Sequence, residues 1–235
     1  MIDFHSHILP NIDDGASSEQ EALNMIHEAQ EVGFTQIIST SHYIEKYYEV
    51  DEMQRNQLLQ EIYEKTERKQ NLHIGSEIYI SDKIIELLKE GKASSINGTR
   101  YVLIELPMNI KSLHTKEVIF RLMENGYIPI IAHPERYSYV QEDIKYVQEL
   151  AEMGTLFQAN YGSLIGMYGN KAKKTVKKLL KQNMIQFMGS DAHRENQIYS
   201  KIPKILKKMK KMLTDEEIQK ITEQNAQIVL ENKIF

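Results

Sequence analysis

Short apolar runs alternate along the chain with longer stretches in which apolar residues recur every three or four positions. The short runs are typical of buried strands, and the longer spacing is that of a helix with one buried face. On this basis we expect strands at 2–5, 36–40, 72–76, 101–105, 128–132, 156–158 and 185–189. We expect helices at 19–32, 51–70, 81–90, 114–125, 139–153, 170–183 and 201–211, with one or two more before the C-terminus.

Local signals mark where several of these helices begin and end. Ser18, followed three residues later by Glu21, resembles a capping box for the first helix. A glycine stands just past four helical stretches, where a left-handed residue commonly ends a helix: Gly33, Gly91, Gly126 and Gly154. No low-complexity stretch, linker or internal repeat interrupts the pattern, so we expect a single domain over 1–235. Seven strand-then-helix units favour an α/β fold with a mainly parallel sheet, either a compact (β/α) barrel or a doubly wound open sheet.

The composition is that of a globular protein, with 41% hydrophobic and 26% charged residues and a mean hydropathy of -0.47. No run approaches the roughly 20 apolar residues of a membrane span, and the first residues show no signal-peptide pattern. The chain has no cysteine, which excludes disulfides, thiolate metal sites and cysteine nucleophiles. We therefore expect a cytoplasmic protein in which any catalytic site uses oxygen and nitrogen ligands.

The net charge of -4 is unevenly distributed. The segment 171–211 holds 13 basic and 2 acidic residues, a balance of +11 on an otherwise acidic chain. Such a segment could bind an acidic partner. The apolar spacing within it also fits two amphipathic helices with solvated lysine faces.

Polar residues follow the predicted strands at the point where each strand ends. Because the carboxyl ends of parallel strands share one face, where ligands and chemistry are found, these side chains should converge. The convergent set contains five histidines and four carboxylates: His5, His7, Asp14, His42, Glu77, Glu105, His133, Asp191 and His193.

Imidazole and carboxylate ligands without sulfur suit manganese, iron, zinc and similar divalent ions. Nine ligands exceed what one ion uses, so two or three ions are implied. Three ions would carry +6 against -4 from the four carboxylates, and the resulting positive pocket suits an anionic substrate such as a phosphate ester. A lone histidine is more often structural than a ligand, and His27, His73 and His114 lack this placement, so we expect them outside the site.

The same residues occur in motifs that resemble a known family. D-x-H-S-H followed by D-D-G, S-H at 41–42 and S-D-x-H at 190–193 are similar to the PHP superfamily (polymerase and histidinol phosphatase). IDFHSHILPNIDDG, STSH, GSEIYI, RYVLIELPMN, IIAHPERY and GSDAH more closely resemble the metal-dependent protein-tyrosine phosphatases encoded with bacterial capsule and exopolysaccharide genes. The resemblance runs from residue 1 to about 193, with a weaker match beyond.

The resemblance implies a distorted (β/α)7 barrel with three divalent ions, most often manganese, although iron and zinc also fit. Carried over by motif, the ligand sets are His5, His7, Glu77 and Asp191 for one ion; Glu77 (as a bridge), Glu105 and His133 for the second; and Asp14, His42 and His193 for the third. Arg136 matches a family arginine that binds the phosphate. The family's second arginine, after S-D-x-H, has no direct match, and either Arg194 or Lys201 takes its place.

We expect such a site to hydrolyse a phosphate monoester with a metal-bound hydroxide, because a bound metal lowers the pKa of water to about 7. Tyrosine's phenolic pKa of about 10 makes phenolate a fair leaving group, which favours phosphotyrosine even without the resemblance. The resemblance adds a partner, a bacterial tyrosine kinase of capsular or exopolysaccharide synthesis. Its phosphorylated tail could dock on the basic segment, where we single out Lys207, Lys208, Lys210 and Lys211.

Three other functions compete with this interpretation. The closest is a PHP phosphatase of the histidinol-phosphatase type, which would use the same metal site for a small metabolite. A PHP exonuclease is less favoured, because no aromatic–basic stripe for stacking bases is present, and we expect no nucleic-acid partner. A metal-binding regulator of polysaccharide assembly is the third. The oligomeric state and the native metal stay open.

Overall fold

Parallel strands form the centre of the molecule. The computed structural model describes residues 1–66 and 70–235. The strands β1 to β9 are, in chain order, Ile2–Ser6, Gln36–Ser39, His42–Tyr43, Asn71–Ile74, Glu77–Tyr79, Tyr101–Glu105, Ile128–Ala132, Leu156–Asn160 and Phe187–Gly189. They pair as two sheets, β1-β2-β4 and β3-β5-β6-β7-β8-β9, and every pair within them is parallel.

The two sheets are parts of one ring. The chain segments 36–43 and 71–79 are each interrupted in the middle, so that β2 pairs with β4 and their continuations β3 and β5 pair with each other. The ring closes where Ser6 bridges Ala192 and the Asp191 N–H donates to the His5 carbonyl at 2.8 Å. Seven strand positions therefore form a closed parallel barrel. The predicted (β/α)7 barrel is confirmed, and the open sheet is excluded.

Helices surround this barrel. The helices α1 to α10 are Glu19–Glu31, Glu52–Lys65, Ile84–Lys89, Thr115–Glu124, Ser138–Glu142, Lys145–Glu152, Gly169–Lys181, Ile202–Met209, Asp215–Gln219 and Asn225–Leu230. Short 3-10 turns lie at Ile96–Gly98, Pro134–Arg136, Tyr161–Ile165 and Tyr199–Lys201, and Lys220–Gln224 is a π-helical turn. None of the described helices has the length and apolar character needed to cross a bilayer.

Most predicted helix boundaries agree with the structure to within a few residues. Residues 67–69 of the expected 51–70 helix lie outside the described residues. The expected 139–153 helix is wrong as a single element, because Asp143 is extended (φ -145°) and its carboxylate accepts from the Lys145 N–H at 3.0 Å. That local bond competes with the helix and divides it into α5 and α6.

The signals expected at helix ends are largely confirmed. The Ser18 hydroxyl accepts from the Glu21 N–H at 3.2 Å, but the Glu21 carboxylate bonds Ser17, so the capping box is only half formed. The four glycines expected to end helices have positive φ angles between 67° and 96°. These left-handed residues turn the chain from each helix toward the next strand.

The core has two parts that together cover both faces of the strands. Side chains of β1, β2, β6, β7 and β9 meet in one cluster with Ala226 and Val229 of α10. Because these strands lie on different sides of the ring, this cluster fills the barrel interior. A larger cluster packs the outer faces of the strands against the helices. The polar residues at the carboxyl ends of the strands lie above this packed interior.

Candidate metal centre

The structure brings all nine predicted ligands together at the carboxyl ends of the strands. They form four overlapping groups, and within each group the potential ligand atoms lie within 4.8 Å of one another. The groups are His5, His7 and Asp191; His5, Glu77 and His133; His42, Glu77 and Glu105; and His7, Asp14, His42 and His193. These four groups divide the residues differently from the three ligand sets implied by the resemblance, but they contain the same nine residues.

Glu77 lies at the middle of the cluster. Its Oε2 atom is 3.1 Å from His42 Nδ1, 3.5 Å from His7 Nε2 and 3.6 Å from His5 Nε2. Its other oxygen, Oε1, is 2.8 Å from His133 Nε2. A carboxylate placed between four imidazoles is well positioned to bridge two ions.

Asp14 lies at the open edge of the cluster. Its Oδ1 atom is 3.4 Å from His193 Nε2 and 3.7 Å from His42 Nε2, and its side chain is 53% exposed. His5, His7 and His133 are by contrast almost completely buried. One end of the cluster therefore lies deep in the barrel, and the other is accessible from outside.

The interruptions in the barrel strands place two of these ligands. His42 begins β3 and Glu77 begins β5, and the two residues are direct register partners. Arg55 of α2 is fully buried behind them and donates to the backbone carbonyls of Ser41 at 3.0 Å and His42 at 2.8 Å. The guanidinium thus donates to backbone carbonyl groups where the strand is interrupted.

Two ligands have unusual backbone conformations, and two glycines leave room for two other ligands. His133 and Asp191 have φ angles of 33° and 53°, a left-handed region that costs energy for residues other than glycine. A Cβ at Gly15 would lie 2.6 Å from the His7 Cβ, and one at Gly189 would lie 2.6 Å from the His5 Cβ. The backbone around the ligands is therefore strained in places and tightly packed.

Neighbouring side chains orient the imidazole rings. His7 donates from Nδ1 to Asp13 Oδ2 at 2.7 Å, and that oxygen also accepts from the His42 N–H at 2.8 Å. His5 donates from Nδ1 to Thr40 Oγ1 at 2.5 Å, since that hydroxyl is directed to the Ser6 carbonyl. Burial opposes ionisation of Asp13, but His7 and the backbone N–H groups lower its pKa far below the usual range. Metal-bound histidines characteristically donate their second N–H in this way.

Four of the ligand atoms that face the centre have no hydrogen-bond partner among the described residues. They are His5 Nε2, His7 Nε2, His42 Nδ1 and Glu77 Oε2, and all four are buried. Buried polar atoms without partners are costly and rare, so their concentration at one point favours binding of a cation that they share. Nitrogen and oxygen donors of this kind fit divalent transition metals.

The electrostatics of the site favour cations. Burial lowers the pKa of His42 to about 4, so its imidazole is neutral near pH 7 and keeps a lone pair for a metal. Burial and the neighbouring Glu77 raise the pKa of Glu105 to about 9. Bound cations would offset this repulsion and return Glu105 to its ionised form.

Arg136 lies beside the cluster. Its Nη1 donates to Asp191 Oδ2 at 2.8 Å, and its guanidinium carbon lies 4.5 Å from the centre of the Tyr168 ring. Asn160 Nδ2 donates to the same Asp191 oxygen at 2.6 Å, which leaves Oδ1 toward His5 and His7. The arginine side chain is 26% exposed, so its planar fork is held in place while part of it remains accessible.

The two candidates for the second arginine lie in different surroundings. Arg194 donates from Nη1 to the carbonyls of Asp14 and His193, both at 2.7 Å, and so links the two loops that carry these ligands. Lys201 instead donates to the Gln197 carbonyl. Of the two, Arg194 is the one adjacent to candidate ligands.

Three histidines lie outside the cluster, as expected. His27 lies in α1 and His114 just before α4, and each has a side-chain exposure of 70%. His73 bonds the Gln36 side chain at 2.8 Å on the neighbouring strand. None of the three belongs to a metal-ligating group of the described residues.

Comparisons with known proteins identify related chains. A family model described as capsular polysaccharide synthesis, CpsB/CapC, matches residues 1–231. The putative tyrosine-protein phosphatase CapC of Staphylococcus aureus is 39% identical over 82% of this chain and 77% of its own. The tyrosine-protein phosphatase YwqE of Bacillus subtilis is 33% identical over the same shares.

The fold is also similar to that of solved structures. A structure from a study of YwqE from Bacillus subtilis and CpsB from Streptococcus pneumoniae, described as unique metal-dependent tyrosine phosphatases, superposes with a TM-score of 0.92. It is 29% identical, and the match covers 100% of this chain and 96% of the other. A histidinol phosphate phosphatase from Lactococcus lactis has a TM-score of 0.59 at 16% identity over 90% of this chain and 93% of its own, which indicates a shared fold only.

Proposed function

Since the chain belongs to the CpsB/CapC family of capsular polysaccharide synthesis, we propose that it is a metal-dependent phosphatase acting on phosphotyrosine in proteins. The observation that carries the proposal is the convergence of nine ligand-type side chains, with unpartnered atoms facing one centre. The cluster is open to the outside at Asp14, which suits a side chain presented by a protein.

We assign the residues to three divalent ions, with manganese as the first choice. His5, His7, Glu77 and Asp191 would hold one ion; Glu77, Glu105 and His133 the second; and Asp14, His42 and His193 the third. When bound, such ions lower the pKa of a water molecule and offset charge on the phosphoryl oxygens. The close approach of Glu77 to four imidazoles supports its role as the shared ligand.

The protein's own contribution is orientation and charge. Arg136 presents a planar donor fork that matches phosphoryl oxygens, and its contacts with Asp191 and Tyr168 hold the fork in position. Asp13 and Thr40 fix the His7 and His5 rings, so that their Nε2 atoms face the centre. Phenolate leaves readily because the phenol pKa is only about 10, so the site needs no strong general acid.

The surroundings of the site favour a peptide over a small metabolite. A groove of about 460 Å³ is lined by residues that neighbour the ligands in the chain or the sheet, in part by Tyr43, Tyr47 and Tyr79. Tyr43 directly follows His42, and Tyr79 is the register partner of Glu105. An aromatic groove next to the ligands suits the residues that flank a phosphotyrosine.

The first test removes the metal. Protein treated with a chelator should lose hydrolysis of a phosphotyrosine peptide and regain it with Mn²⁺. His133→Ala should lose activity, whereas His27→Ala, an exposed histidine outside both the cluster and the groove, should not. Full hydrolysis by the chelated protein would refute the proposal, and a preference for histidinol phosphate would favour the small-metabolite phosphatase.

We further propose that the physiological substrate is a bacterial tyrosine kinase of capsule synthesis and that the reaction takes place in the cytoplasm. The family's link to capsular polysaccharide synthesis supports the substrate, and the absence of cysteine supports the compartment. Incubation with the phosphorylated kinase encoded nearest this gene should remove its phosphotyrosine. Persistence of that phosphotyrosine, with hydrolysis of unrelated peptides intact, would rule this substrate out.

A further inference from the structure

Lysines of two helices lie on one side of the barrel, because α7 and α8 both pack on the turn Tyr161–Ile165. Helix α7 buries Ala172, Val176 and Leu179, and at about 100° per residue Lys173 and Lys177 fall on one flank of this stripe. Helix α8 buries Ile202, Ile205 and Met209, which places Lys204 and Lys208 on one flank, and Lys211 follows in the turn just past the helix. We call these five lysines the facing-lysine cluster: Lys173, Lys177, Lys204, Lys208 and Lys211.

The members of this cluster lie close enough to repel one another. Partial desolvation and the charges of the other four lysines lower the pKa of Lys208. Lys173, Lys177 and Lys208 are half-buried, whereas Lys171, Lys174 and Lys178 on the other flank of α7 are exposed. Lysines packed side by side without counter-charge are an unfavourable arrangement that a bound anion would relieve.

No described acidic side chain forms an ion pair with a member of the facing-lysine cluster. Within 171–211 the described lysine that does form one is Lys210, which pairs with Asp215 at 3.0 Å. Lys207 and Lys210, two of the four lysines singled out from the sequence, thus lie outside the cluster. The lysines that lie together in the structure therefore differ from the four singled out from the sequence, and the two sets share only Lys208 and Lys211.

The cluster begins close to the metal centre. The Lys173 side chain passes within 3.6 Å of the position of a Cβ at Gly166, which ends the turn just before Tyr168. Tyr168 in turn contacts Arg136 and Asp191. From Lys204 to Lys211 the cluster extends about 10 Å along α8 and the turn after it, enough for about three residues of an extended peptide.

We propose that the facing-lysine cluster is a docking site for an acidic or multiply phosphorylated segment of the substrate. The segment belongs to the protein whose phosphotyrosine enters the metal centre. The inference rests on the proposed function and names a second contact for that substrate. A membrane surface fits less well, because basic membrane-binding surfaces also insert apolar side chains. Among the described residues, the large apolar side chains that are more than half exposed all lie off α7 and α8: Tyr47, Met53, Ile110, Leu113, Phe120 and Ile234.

The test uses two variants of the full chain that lose equal charge. The first replaces Lys173, Lys177 and Lys208 with glutamine, and the matched control replaces Lys171, Lys174 and Lys178. The probes are p-nitrophenyl phosphate and two phosphotyrosine peptides of equal length, flanked on both sides by glutamate or by glutamine. Binding of both peptides is also measured by fluorescence anisotropy, which does not depend on turnover.

We expect the first variant to raise KM and Kd for the glutamate peptide by about fivefold, the effect of losing three exposed ion pairs. Its kinetics with the glutamine peptide and p-nitrophenyl phosphate should match the wild type, and the control variant should change little. The difference between the peptides should also shrink as ionic strength rises.

Equal effects of the two variants, or equal effects on the two peptides, would overturn the proposal. So would unchanged peptide kinetics together with lost binding to phosphatidylglycerol vesicles, since that result would assign the cluster to a membrane. Loss of all hydrolysis would count against the proposed function, but the anisotropy measurement would still decide the docking site.

Discussion

Substitution of Gly189 by alanine tests how closely the barrel backbone holds the metal ligands. Gly189 ends β9 beside β1, and an added Cβ would lie 2.6 Å from the His5 Cβ and 2.7 Å from Gln158 Nε2. Carbon atoms in contact normally lie about 3.5–4.0 Å apart, so the ring strands must separate by about 1 Å. His5 is fully buried and bonded to Thr40, so it cannot move without losing that bond.

We expect Gly189→Ala to lower the free energy of unfolding by about 1–3 kcal/mol, the usual cost of overpacking. A shift of about 1 Å exceeds the roughly 0.5 Å that a metal or catalytic site tolerates. Activity should therefore fall by about 100-fold. The assays are urea unfolding, metal content per chain, and kcat/KM for p-nitrophenyl phosphate.

Gly154→Ala provides a control that loses stability without touching the site. Gly154 follows α6 with φ of 92°, and alanine in that conformation costs about 1–2 kcal/mol. We expect this variant to be destabilised to a similar degree and to keep its metal and its kcat/KM. If Gly189→Ala also kept both at wild-type levels, the claim that the barrel holds His5 in a fixed position would be refuted.

Three further perturbations probe different parts of the site. Asp13→Asn removes the carboxylate that accepts from His7, so metal affinity, measured by competition with a chelator, should fall by about 10- to 100-fold; an unchanged affinity would contradict this orienting role. Arg136→Lys keeps the charge but loses the planar fork, so steady-state kinetics should show kcat/KM for an aryl phosphate reduced by about tenfold with metal content retained. In the metal-free protein, burial and Glu77 raise the pKa of Glu105 to about 9. Between pH 4.5, the ordinary pKa of this group in the unfolded chain, and pH 9, the folded chain therefore holds a proton that the unfolded chain has released. The contribution of Glu105 to the free energy of unfolding of the metal-free protein should therefore fall as the pH rises from about 5 to 9. Glu105→Gln should flatten that slope in urea titrations, and an equally steep slope in the variant would assign the effect to another group.

The barrel is largely readable from the sequence because most of its strands are continuous apolar runs. The expected strands 101–105 and 128–132 coincide with β6 and β7. The short strands β3 and β5 were not predicted, since two or three residues show no periodicity. The break between α5 and α6 was missed because it depends on one side-chain bond of Asp143, whereas the apolar spacing runs through it.

The nine candidate ligands could be predicted because they belong to the polar stretches that follow the long apolar runs of the barrel. The residues that hold them in place carry no such signal. Arg55 is a basic residue on an amphipathic helix, where a solvated side chain is the usual outcome, yet it is completely buried. Asn160 and Tyr168 act on Asp191 only through contacts that the fold creates. Asp13 stood next to a predicted ligand, but its bond to His7 becomes evident only in three dimensions.

The most direct measurement is the metal content of freshly purified protein, determined together with its rate of phosphotyrosine hydrolysis. We expect close to three divalent ions per chain, with activity that falls as ions are removed and returns as they are restored. In His133→Ala the ion count and the rate should fall together. Protein that contains no divalent ion yet hydrolyses phosphotyrosine at its full rate would contradict the account.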